Sequence, residues 1–75
     1  MTYLTTNEVT STALAARVLG FSREEAARLA GIEIDLEDIV LCATASRWYL
    51  VEVSGEDFHE VIADGFIKNG RIVAI

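Results

Sequence analysis

The chain has no proline, one cysteine, one histidine and one tryptophan, and it sets only six basic residues against twelve acidic ones. Each shortage closes a class of explanation. With Cys42 as the only thiol, an intramolecular disulfide is excluded. Cys42 and His59 alone cannot furnish a four-ligand structural zinc site. No proline, low-complexity tract or internal repeat marks a linker, so the 75 residues are expected to form one domain over 1–75. The longest apolar runs, IVLCA and WYLV, fall far short of the roughly 18 residues that cross a bilayer. The first residues lack the basic-then-apolar plan of an export signal. Together with the free thiol, this sets the expectation of a cytoplasmic protein. Neither GxGxxG nor a Walker sequence occurs, so nothing points to a nucleotide.

What is present is apolar mass and acid. Hydrophobic residues make up 52% of the chain, ten of them alanine. A core this small is only marginally stable, so stability has to come from apolar burial, with self-association as a further source. Charge is unevenly spread. Residues 1–31 carry Arg17, Arg23 and Arg28 against Glu8, Glu24 and Glu25, which cancel. Residues 32–75 carry nine acids against Arg47, Lys68 and Arg71, so the whole net charge of −6 lies there. Such a field repels phosphate backbones and attracts basic surfaces.

Local signals divide the chain in the same place. TTNE and SREE are capping boxes, with Thr5 and Ser22 as caps and Glu8 and Glu25 reaching back. They open a helix that runs to about Leu19, ended by Gly20, and a second over Arg23–Ala30, ended by Gly31. Residues 1–31 are therefore read as a helical hairpin and 32–75 as an acidic, β-rich part. IEIDL alternates as a half-buried strand does, while IVLCATA and WYLVEV are rich in β-branched and aromatic residues. The first of these two, over 39–45, also admits a buried helix. In the second, Tyr49, Val51 and Val53 face one way and Trp48 and Leu50 the other, so both faces are covered. SGEDFHEVIADG spells a short helix capped by Ser54, with Phe58, Val61 and Ile62 inward and Gly65 at its end. Asn69-Gly70 between two apolar runs is a hairpin signal. The expected fold is α+β: an N-terminal helical hairpin packed on a small antiparallel sheet of three to four strands with one further short helix, ααβ(β)βαββ.

No pattern for catalysis emerges. Glu33, Asp35 and Glu37 would share one strand face, but a metal site draws ligands from several elements and a calcium loop needs a glycine turn. Cys42 has no helix start or basic neighbour to activate it. His59, Ser54 and Asp64 fall within one short helix and its flanks, with no strained nucleophile turn beside them. His59 is expected on that helix's solvent side. No cofactor or metal is expected, and the chain is not read as an enzyme. The candidate binding residues are the acids Glu33, Asp35, Glu37 and Asp38, and the run Arg47, Trp48 and Tyr49, whose residue types dominate interface hot spots. Solubility and protection of a sheet edge account equally for the acids, as a core position does for Trp48. The expected function is a small non-catalytic protein-binding module, an inhibitor or adaptor that meets a basic, nucleic-acid-binding surface of a partner protein. A homodimer contact near Trp48 is a further expectation.

Two stretches resemble known families. YLTTNEVTSTALAARVLGFSREEAARLAG is similar to the helix-turn-helix of excisionase-type regulators, and WYLVEVSGEDFHEVI to their strand-then-helix ending. That resemblance implies DNA binding through residues 5–30, with Ser22, Arg23, Ala27 and Arg28 at the major groove. Glu24 and Glu25 depart from it, as does the acid where those regulators carry a basic wing, so direct nucleic-acid binding is the alternative reading. FIKNGRIVAI resembles the opening hairpin of amidohydrolase-type enzymes, without the histidines that would follow it. In size and charge the chain is similar to small acidic phage-encoded inhibitors, anti-CRISPR proteins among them.

Overall fold

The computed structural model describes residues 2–33, 35, 37–53 and 55–74. Its elements run β1 (Tyr3–Thr5), α1 (Thr6–Leu19), α2 (Arg23–Ala30), β2 (Ile39–Ala43), β3 (Arg47–Glu52), β4 (Phe58–Lys68) and β5 (Arg71–Ala74). The fold is α+β, with two helices against an antiparallel sheet of five strands and not the expected three to four, because Tyr3–Thr5 and Phe58–Lys68 pair as strands.

Both helix starts and stops follow the local chemistry. Thr5 and Glu8 form a complete reciprocal capping box on α1, and Ser22 Oγ accepts the Glu25 N–H at the start of α2. Gly20 and Gly31 end the helices in left-handed conformations. Ile32 N–H returns to Ala27 O, closing the α2 terminus.

β4 is the organising strand. β3 pairs along one side of it, and β2 lies beyond β3. On the other side β1 pairs with Phe58–Glu60 and β5 with Gly65–Lys68, so the first and last strands share one edge. Strand alternation gives the sheet two apolar faces. One carries Ile39, Leu41, Ala43, Trp48, Leu50 and Ile72, packed with Ala16, Ala26 and Ala27 of the helices. The other carries Val40, Cys42, Tyr49, Val51 and Val61, packed with Val9 and Ala13 of α1. α1 thus reaches both faces at the outer strand β2, and Arg23 Nη1 donates to Ile39 O there at 2.9 Å.

The structure overturns two local readings. The expected third helix over 54–65 is strand β4 where it is described; Ser54 itself lies outside the described residues. Val61 and Ile62 looked like a helical stripe because a bulge places two β4 residues opposite one step of β3: Leu50 pairs Ala63, while Val51 pairs Val61. The bulge puts Val61 on one face and both Ile62 and Ala63 on the other. Eight to twelve residues of weak helical signal cannot outweigh pairing with three neighbouring strands. Gly65 is accordingly a strand residue and not a helix end.

The second correction concerns IEIDL. Glu33 and Asp35 belong to no strand and Glu37 lies in a turn; positions 34 and 36 are outside the described residues. Asp35 Oδ1 accepts the Glu37 N–H at 3.0 Å, an Asx-type turn that competes with strand pairing. The three carboxylates therefore do not share a strand face. Residues 39–43 are strand, which closes the helix alternative there.

Candidate functional site

The sheet register gathers carboxylates that lie far apart in the chain. Glu52, at the end of β3, pairs directly with Glu60 of β4 and with Ile39 of β2. Asp38 O accepts the Val53 N–H at 2.8 Å, fixing the acidic turn beside the same end of β3. Glu33, Asp35, Glu37 and Asp38 are all exposed in the α2–β2 connection. Glu56 and Asp57 sit in the β3–β4 connection, at this end as well. Glu37, Asp38, Glu52, Glu56, Asp57 and Glu60, six of the twelve acids, thus occupy one end of the sheet. Like charges directly opposite each other on neighbouring strands are destabilising, and Glu52–Glu60 is such a pair. Among the described residues no cluster of His, Cys, Asp or Glu is arranged to hold a metal ion.

The opposite end has a different character. Alternation puts Arg47, Tyr49, Asp64, Phe66, Lys68, Arg71 and Val73 on one face. Arg47 Nη2 donates to Asp64, and its guanidinium lies 5.6 Å from the Tyr49 ring centre and 5.4 Å from that of Phe66. Lys68 Nζ lies 5.7 Å from the Phe66 ring. Arg47 Nε is buried without a hydrogen-bond partner. Phe66 remains 38% exposed. Cation–π contacts hold the Arg47 plane in place, and Asp64 neutralises part of its charge.

The expected binding run therefore separates. Arg47 and Tyr49 are half-buried on this face. Trp48 points the other way and is fully buried, its Nε1 donating to Val73 O at 2.8 Å. Its ring lies in the core and presents nothing to a partner.

A third surface is apolar. Leu14, Val18 and Leu19 of α1 are exposed, Val18 by 79%, and with Ser11, Ala15 and Ala43–Ala45 they border a shallow cavity of about 510 Å³. Three of the four residues that the regulator resemblance would place on DNA are differently employed. Ala27 is in the core, Arg23 bonds to Ile39 O, and Ser22 caps its own helix, leaving Arg28 exposed.

Two buried groups complete the inventory. Cys42 is fully buried; burial pushes its thiol pKa up, with a hydrogen bond from Thr12 opposing, and its Sγ lies 3.8 Å from Val9 O. A thiol held protonated in this way is a poor nucleophile. His59 is buried in β4, not on a helix's solvent side, because β4 turns it toward the start of α1, where Nε2 lies 3.0 Å from Thr6 Oγ1.

Sequence reasoning named the acids of 33–38 but missed Glu52 and Glu60 as their companions, and missed Asp64, Phe66, Lys68 and Arg71 as companions of Arg47. The available signal was the β-branched and aromatic content of 58–68, but a strand there yields the two groupings only through its register with β3 and β5. No helix among the described residues is long and apolar enough to cross a membrane. Comparison with protein-family models, with curated proteins and with solved structures gives no match for the chain.

Proposed function

We propose that the protein is a small, non-catalytic binding module whose acidic end meets a basic surface of a partner protein, of the kind that otherwise holds nucleic acid, so that it acts as an inhibitor or adaptor. The observation that supports this most is the direct opposition of Glu52 and Glu60 beside Asp38 and the exposed acids of the α2–β2 connection. Repulsion stored in such a cluster is relieved when a cationic surface covers it, and the attraction speeds encounter and fixes orientation.

The test is affinity capture from the native host with wild-type protein and with the quadruple variant Glu33→Gln/Asp35→Asn/Glu37→Gln/Asp38→Asn. The expected result is a basic partner that wild type retains at low salt, that added nucleic acid displaces, and that the variant fails to hold. Capture indifferent to all four substitutions would remove the proposal. The helix-turn-helix reading is less well supported, because three of its four groove residues are occupied within the fold. Retardation of a short DNA duplex at low salt would restore it.

A further inference from the structure

We propose that the apolar surface of α1 is where a second copy docks, giving a symmetric dimer built on Leu14, Val18 and the turn at Ala43–Ala45. Among the described residues seven large apolar side chains are exposed, and three of them, Leu14, Val18 and Leu19, fall close together at the end of α1. Ser11, Leu14, Ala15 and Val18 recur at helical spacing, so they form one stripe in which small and large side chains alternate. α1 turns its other side to the core, through Val9 and Ala16. Beside the stripe lies the hollow of about 510 Å³ bounded by Ala43, Thr44 and Ala45. Val18, the most exposed of the seven, stands at its rim. Projection and hollow therefore share one patch, as a two-fold contact requires, and each copy's Val18 can enter the other's hollow.

Charge points to a copy of this chain as the occupant. Between Glu8 and Arg23 the only charged residue is Arg17, and residues 39–46 hold none. Arg17 borders a separate cavity with Phe21 and Ile39. A strongly basic or acidic partner finds no complement on such a surface. Two chains of net charge −6, however, can meet here with their acids kept apart. Ala43 stands four strand positions from Ile39, the residue paired with Glu52, which is roughly 13 Å by strand rise. That exceeds the roughly 8 Å over which charges act at 0.15 M salt. The largest apolar patch on a monomer offers roughly 300–600 Å², less than the roughly 800 Å² per partner of a lasting complex. The dimer is accordingly reversible, populated above roughly 10–100 µM. It leaves both acidic ends uncovered, so it neither needs nor blocks a basic partner.

The experiment is sedimentation equilibrium on the purified 75-residue chain from about 10 µM to 1 mM, at ionic strengths near 0.01 M and 0.15 M. Three variants carry the same change of charge: Val18→Lys on α1, Ala45→Lys in the hollow, and Phe58→Lys at the start of β4, away from the patch. All three positions are exposed, so circular dichroism of each should match wild type. Wild type is expected to dimerise, and more tightly at the higher ionic strength, because screening removes repulsion between the acidic bodies. Val18→Lys and Ala45→Lys should each weaken the dimer at least ~10-fold, although both lower the net negative charge, and Phe58→Lys should not weaken it. A monomer at about 1 mM under both conditions would overturn the proposal. So would a dimer unmoved by Val18→Lys and Ala45→Lys, or one that loosens as salt rises, the mark of ionic contacts.

Discussion

Gly65 and Trp48 are the tightest fit in the molecule. A Cβ built at Gly65 would collide with Trp48 Nε1 and with the backbone oxygen of Val73, and neither can retreat without breaking their own hydrogen bond. Gly65→Ala is expected to cost about 3 kcal/mol or more, measured by urea unfolding, although alanine is the smallest possible addition. Trp48→Phe keeps an aromatic ring but loses the Val73 bond and leaves a void, for an expected loss of about 2 kcal/mol. Cys42 should resist alkylation in the native state and react at least ~10³-fold faster in denaturant, because reagent must wait for the core to open. Rapid native labelling would show that the β2 core opens locally. At the α1 cap, hydrogen bonds from the Thr5 backbone and side chain hold the Glu8 carboxyl below the usual carboxylate range. A lowered folded-state pKa adds stability that is complete above the unfolded-state value and is lost as pH falls through the folded one. The stability gap between wild type and Glu8→Gln should therefore be present at neutral pH and disappear in acid, while Thr5→Ala should cost about 1 kcal/mol at pH 7.

Elements differ in how much of them a single sequence discloses. α1 and α2 were legible to the residue, because caps, stops and periodicity are contained within each segment. The 68–71 hairpin was equally plain: Asn69 and Gly70 both take positive φ, 54° and 74°, as a two-residue turn with the right twist requires. Replacing Gly70 by alanine should cost about 1 kcal/mol through φ alone, since open space surrounds it. β4 was not legible. Its status depends on β1, β3 and β5, which lie elsewhere in the chain, and its bulge breaks the period-2 alternation that identifies a strand. β1 escaped notice for a related reason: three residues before a helix cap acquire strand character only when β4 pairs with them. The Glu33–Glu37 alternation misled in the opposite direction, since Asp35 uses its carboxylate to fold the chain back on itself.

At the scale of the molecule, the charge imbalance between the two parts of the chain was visible in the sequence, but its geometry was not. Counting charges gives −6; only strand register puts Glu52 against Glu60 beside Asp38 and sends Arg47, Lys68 and Arg71 to the far end and the other face. Of the seven residues of the expected site, all but Trp48 keep exposed or half-buried surface. Trp48 leaves it for the core, and Phe66 is an exposed aromatic beside Arg47 and Tyr49. The result is an elongated body, 34 Å on its longest axis, with charge of opposite sign concentrated at different places on one sheet. The account rests on the acidic end being a single surface that cations recognise. Its most direct test is a ¹⁵N–¹H titration of the labelled protein with a short oligoarginine peptide at low ionic strength. Amide shifts should concentrate at Glu33, Asp35, Glu37, Asp38, Glu52 and Glu60, spare Lys68 and Arg71, and vanish on adding salt. Shifts of equal size at Glu24 and Glu25, or spread evenly over every acidic site, would contradict it.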